Sequence, residues 1–240
     1  MIILQLAAEL GHLEIVNLIL EHLPQTVDPD SNHLALILAI GNGHEEVVKK
    51  LLEHVPMPMN LYSTGPAGLN ALGIAVKNGR IHMVQLILDK THVKPDEYVE
   101  DWDNKRTRKS ALHLAAEGGH KSIMEAFLFC AKVNLNVNDA KGTSPLLTAV
   151  ECDQIGIVEL LLADNRVEIN HKDSSGNTAL LIALMKGKLP LAQLFLDHKN
   201  LNANDTNAEG VTALMMAASL GCSLSISKLL RYADIDVNSR

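Results

Sequence analysis

An internal repeat constrains this chain more than any other feature of it. Segments "LQLAAELGHLEIVNLIL" from Leu4, "LILAIGNGHEEVVKKLL" from Leu36 and "LGIAVKNGRIHMVQLIL" from Leu72 share one pattern with four later ones. Those begin at Leu112, Leu146, Leu180 and Leu214. Each carries Leu, an Ala three residues on, usually Gly at the seventh residue after the Leu, and then a second apolar-periodic run. The turn position falls at Gly11, Gly43, Gly79, Gly119, Asp153, Gly187 and Gly221, so successive gaps are 32, 36, 40, 34, 34 and 34 residues. A period of this length with two short helices per unit predicts an all-α repeat solenoid, because neither helix of a unit can bury its apolar face alone.

The fourth unit shows the local logic. Ser110 suits an N-cap, and Leu112, Ala115 and Ala116 form one face of a two-turn helix, with Ala allowing close approach of neighbours. Gly118 and Gly119 end it, where left-handed backbone is needed. Ile123, Met124, Phe127 and Leu128 then repeat at the spacing of a second amphipathic helix. Between helix pairs the frame Asp/Asn-x-x-Gly-x-Thr/Ser recurs at Asp139–Ser144, Asp173–Thr178 and Asn207–Thr212. This frame predicts a tight hairpin turn followed by a Ser or Thr cap, with Pro145 tolerated in the first helical turn. "DPDSNHLAL" before the second unit has neither Gly nor Thr, so an irregular hairpin is expected there.

With 47% hydrophobic, 20% charged and only 3% aromatic residues, aliphatic side chains must fill the core. A net charge of -7 argues against a broad nucleic-acid or anionic-membrane surface, so neither is expected as a partner. No apolar run reaches the length of a membrane span, and "MIILQLAAELGHLEIV" lacks a basic region and cleavage site, so it reads as a helix. Cys130, Cys152 and Cys222 are odd in number and far apart, which predicts free thiols and a reducing, cytoplasmic setting.

These features resemble the ankyrin-repeat family. Its Thr-Pro-Leu-His signature is matched by "SALH" (Ser110 to His113), "SPLL", "TALL" and "TALM", and its Gly-His turn by Gly11-His12, Gly43-His44 and Gly119-His120. The resemblance covers nearly the whole chain and implies helix pairs stacked side by side with projecting β-hairpin loops. In that register the repeats span approximately residues 1–27, 28–59, 60–94, 105–138, 139–172, 173–206 and 207–240, with an extended finger over 95–104. They form a single array. The chain starts inside a helix and stops where another hairpin is due, without polar capping repeats, so a fragment of a longer protein is expected.

Eleven histidines invite a metal or catalytic reading, but none has ligand spacing. The resemblance implies that His12, His44, His113 and His120 make structural hydrogen bonds. His22 and His54 close second helices, where a cationic side chain suits the helix dipole. Cys152 lies between Glu151 and Asp153, a poor setting for a nucleophile. No cofactor, metal or catalytic residue is therefore assigned, and no enzyme is expected. Leu160, in the second helix of the fifth unit, is expected in the core.

By the same resemblance, partner contacts come from the hairpin tips and the exposed ends of first helices. Here these include Lys77, Asn78, Glu117, Glu151 and Lys186 at helix ends, and Arg106, Lys109 and Lys141 at tips, followed by Ser174, Ser175, Ala208 and Glu209. The finger "KPDEYVEDWDNKRTRKS" adds Tyr98 and Trp102; either they stand exposed for binding or they fold back over the joint between units. "VEIN" at Asn170 and "IDVN" at Asn238 resemble asparagines that a hydroxylase modifies in some ankyrin proteins, although a structural turn role explains them better. The expected function is non-catalytic binding of another protein through a concave face, by a monomer. Two alternatives are a recruitment arm of a larger enzyme or host-directed bacterial effector, and a purely architectural spacer.

Overall fold

In the computed structural model, residues 2–22, 29–54, 69–91, 93–98, 108–130, 132–232 and 234–237 are described. Among them are fourteen helices in seven pairs, and no regular strand. The first helix of each pair is α1 (Ile2–Glu9), α3 (Pro29–Asn42), α5 (Ala71–Lys77), α7 (Ala111–Gly118), α9 (Pro145–Glu151), α11 (Ala179–Met185) or α13 (Ala213–Ser219). The second is α2 (Leu13–His22), α4 (Glu45–His54), α6 (Ile81–Lys90), α8 (Lys121–Leu128), α10 (Ile155–Leu162), α12 (Leu189–Leu196) or α14 (Ser223–Leu229). The chain divides into two compact units, Met1–Ala115 and Ala116–Arg240, with the division falling inside α7.

Each unit is built of two helix rows. In the first, α1 lies against α3 and α3 against α5, while α2, α4 and α6 form the second row. In the second, α9, α11 and α13 make one row and α8, α10, α12 and α14 the other. The first helices are nearly all apolar because both of their sides meet a neighbour: Leu180 to Leu184 of α11 are all buried. The second helices bury one stripe only, such as Ile123, Met124 and Phe127 of α8, which is what amphipathic spacing predicts.

The predicted caps are present. Ser144 Oγ and Thr178 Oγ1 accept the amides of Leu147 and Leu181 at 3.4 Å, and Thr212 Oγ1 accepts that of Met215 at 3.1 Å. Ser110 pairs with a side chain instead: its amide donates to His113 Nδ1 at 3.1 Å and its Oγ lies 2.8 Å from the same atom, both side chains fully buried. Asp153 takes the left-handed conformation at φ 63 where the other units place Gly.

Two expectations need correction. The second repeat has helix where an irregular hairpin was expected, since α3 runs for 14 residues from Pro29. Proline suits a first helical position, and without a glycine to take positive φ nothing turns the chain between Pro29 and Leu36. The core leucine of α10 is Leu161, fully buried, whereas Leu160 is only half-buried. Accordingly, Leu160→Ala is expected to cost about 1 kcal/mol, the share of side-chain burial it has. A thermal-denaturation loss equal to that of Leu161→Ala would put Leu160 back in the core.

Candidate functional site

The tips of the second unit are built by one asparagine or aspartate each. Asp139 Oδ1 accepts the amides of Lys141 at 2.8 Å and Thr143 at 2.9 Å. Asp173 Oδ1 accepts those of Ser175 and Asn177, both at 2.8 Å, and Asn207 Oδ1 those of Glu209 and Val211. Neighbouring tips are then tied through the main chain: Ser174 N donates to Lys141 O and Ala208 N to Ser175 O, each at 2.9 Å. Such Asx turns occupy the tip backbone, so the side chains of Lys141, Ser174, Ser175, Ala208 and Glu209 are left exposed.

At the opposite end of four first helices, α1, α3, α7 and α9, a second device operates. The residue after the positive-φ turn reaches back to the closing carbonyls of the preceding first helix. His44 Nε2 donates to Glu9 O at 2.9 Å, Arg80 Nη2 to Gly41 O at 3.1 Å, and Gln154 Nε2 to Glu117 O at 3.2 Å. Lys188 Nζ donates to Val150 O at 3.1 Å and Glu151 O at 3.0 Å. These donors satisfy orphan helix-end acceptors. They also explain the turn glycines, since a Cβ on Gly43 would strike Arg80 and one on Gly119 would strike Gln154. Where Asp153 replaces Gly, the next unit answers with Lys188, 3.6 Å from its carboxylate.

The expected contact residues are distributed over these two devices. Lys77, Asn78, Glu117, Glu151 and Lys186 are all exposed at first-helix ends, and Lys186 Nζ lies 3.5 Å from Glu151 O. Lys109 is half-buried. Trp102 and Arg106 lie outside the described residues, as does Asn238. Tyr98 is 39% exposed and forms an antiparallel bridge with Ser110. The Arg108 guanidinium sits 4.4 Å from the Tyr98 ring centroid, a cation–π contact, and Arg108 has φ 44.

Residues that sequence reasoning missed are mostly ties between repeats. Asn136 Nδ2 donates to Arg166 O and its Oδ1 accepts Glu168 N; Asn170 does the same with Asn200 O and Asn202 N, and Asn204 with Asp234 O and Asp236 N. The three stand 34 residues apart, a spacing that would have revealed them. It also gives Asn170 its structural role. Arg166 joins Asp164 at 2.6 Å, and that hydrogen bond holds the Asp164 carboxyl below the ordinary carboxylate range against the opposing effect of burial. The pair's contribution is therefore complete above the ordinary carboxylate pKa and fades as pH falls through the lowered value. Among the described residues no group of three or more His, Cys, Asp or Glu could hold a metal, and no helix is long and apolar enough to cross a membrane. None of the three cysteines is in a disulfide; Cys152 is exposed and the others are half-buried.

Comparison with known proteins adds a family. The model of ankyrin repeats matches in three copies, over residues 4–98, 96–173 and 165–240. No curated protein matches the chain in sequence. Among similar solved structures is the crystal structure of the ankyrin repeat domain of Bcl-3, described as a unique member of the IkappaB protein family. It aligns at TM-score 0.77 and 24% identity over 95% of this chain and 97% of its own. At that identity the likeness carries the fold alone.

Proposed function

Since the chain belongs to the ankyrin-repeat family, we propose that it is a non-catalytic module that binds another protein across its hairpin tips and first-helix ends. Ankyrin repeats are in general protein-interaction modules. The observation that carries the reading is the division of labour at the tips. Asp139, Asp173 and Asn207 occupy the tip amides, and the tip side chains stand in water at regular intervals. A fold that needs only the Asx residue and the glycine at each tip leaves the others to vary with the partner. Within the first unit, the Tyr98 ring under the Arg108 guanidinium has the aromatic–arginine composition of interface hot spots.

Charge reversal at Lys141 and Lys186 tests the proposal. The double variant Lys141→Glu/Lys186→Glu is expected to weaken binding to an affinity-captured partner by about tenfold, the scale of close charge pairs at interfaces, with an unchanged thermal midpoint. Unchanged binding, measured by titration calorimetry, would remove these two residues from the interface.

A further inference from the structure

Burial in the first and last repeats departs from the register that the other repeats keep. Ile15 of α2 is 43% exposed, whereas its counterparts Val47, Met83, Ile123, Ile157, Leu191 and Ser225 are each 3% exposed or less. Leu18 is exposed as well, and so are Ile3, Leu6 and Leu10. They lie on the side of α1 and α2 away from buried Leu4, Ala7, Val16 and Leu20. In the last repeat Ala218 of α13 is exposed and Ile226 of α14 half-buried. The residues that precede them by one to six periods are fully buried at both positions. Leu230, at the end of α14, is exposed too.

The structure itself shows what covers such positions. The counterparts of Ile15 in α4, α6, α10, α12 and α14 belong to helices that each have the preceding second helix against them. The cover is therefore a further helix pair of the same kind, and this chain carries both halves of that joint. The turn device supplies a polar match. His44 Nε2 donates to Glu9 O at 2.9 Å, and its ring lies where a Cβ on Gly11 would strike it. His12 is the same residue type one repeat earlier, and it is exposed, with no first helix before α1 among the described residues. Ser219 O is the counterpart of Glu9 O. Gly221 is the counterpart of Gly11, and a Cβ there would meet nothing within 4 Å.

We infer that this chain self-associates head to tail. The α1–α2 face of one copy covers the α13–α14 face of the next, and His12 of the first donates to Ser219 O of the second. A contact between two different faces leaves one of each free on a dimer, so assembly grows with concentration. Apolar burial drives it. The net charge of -7 on each copy opposes it, so added salt should strengthen it by screening.

Sedimentation velocity of the full chain from about 1 to 300 μM, the range in which micromolar contacts show, tests this. Wild type should pass from monomer to dimer and beyond as concentration rises, and further in high salt. Leu18→Asp and Leu230→Asp should each stay monomeric with the wild-type thermal midpoint. Mixed in equal amounts, the two should form a dimer and nothing larger, because each keeps the one face that the other has lost. His12→Ala should weaken wild-type association about fivefold, the scale of one hydrogen bond. If either aspartate variant melts early, Leu6→Asp or Ala218→Asp takes its place on the same face. A wild type that stays monomeric throughout overturns the inference. So does an aspartate variant that still dimerises alone, which would mean like face on like. A mixture that stays monomeric, or undiminished association by His12→Ala, overturns it equally. A monomer that floats with phosphatidylcholine vesicles through Leu18 would give the face to a membrane instead.

Discussion

Replacing Phe127 by Ala is expected to remove about 3–5 kcal/mol of stability, the usual cost of deleting a fully buried aromatic ring. Phe127 is 0% exposed and completes the buried stripe of α8 with Ile123 and Met124. α8 lies against α10 in the second row. The Ala variant leaves a cavity within the buried stripe, and the interior closes around such a cavity only in part. Denaturant titration followed by circular dichroism should show the midpoint falling sharply. Phe129→Ala, two residues along, should leave it nearly unmoved. If both variants lose equally, the helix is rotated and the Phe129 ring, otherwise 88% exposed, belongs to the core.

Gly176→Ala should produce the second largest loss, about 2–3 kcal/mol. Its φ is +78, and holding a residue with a Cβ in left-handed backbone costs about 1–2 kcal/mol. The added Cβ would also lie 2.8 Å from the amide nitrogen of Ala208, a backbone atom that cannot swing aside. That amide donates to Ser175 O at 2.9 Å; displacing it forfeits a hydrogen bond worth about 1 kcal/mol. Gly187→Ala is the control, having φ +66 but nothing within 4 Å of the new carbon. It should lose only the conformational part, about 1 kcal/mol. Equal losses in the two variants would show that the tip-to-tip contact contributes nothing.

The repeat frame, the caps and the positive-φ turns were all legible because each rests on local chemistry within a few residues. Ser144, Pro145 and Gly176 announce their roles by type and spacing alone. Where the sequence misled, periodicity had lost its contrast. The run "VELLL" is apolar at three successive positions, so spacing does not distinguish half-buried Leu160 from buried Leu161. In α8, Phe127 and Phe129 differ only by about 200° of rotation on the helix, and composition marks both simply as aromatic. The second repeat misled for the opposite reason. Its lack of turn residues suggests an irregular loop, when the same lack lets α3 continue. Contacts between repeats, such as Arg166 Nη2 on the Leu128 carbonyl, depend on where the chain returns a full period later. No local signal carries them, although the recurring Asn136, Asn170 and Asn204 come close.

Not every turn carries the back-reaching donor, and its lack at the last turn gives the last helix pair a mechanical character of its own. Cys222 holds the position that Lys188 and Gln154 fill earlier, and it is too short to span to α11; its Sγ turns instead to Leu220 O at 3.8 Å. Gly187 accordingly has an empty space before it. The far edge of the same pair is bolted repeatedly, by Lys228 to Asp197, by Gln193 Nε2 to Ser225 Oγ, by the Tyr232 hydroxyl to Leu196 O, and by Asn204 to Asp234 O and Asp236 N. The α13–α14 pair is hung like a door, hinged along its back edge and unlatched at the front. Under tension or thermal agitation it should swing open from the turn side, baring the first-helix face of α11, before any other joint of this unit parts.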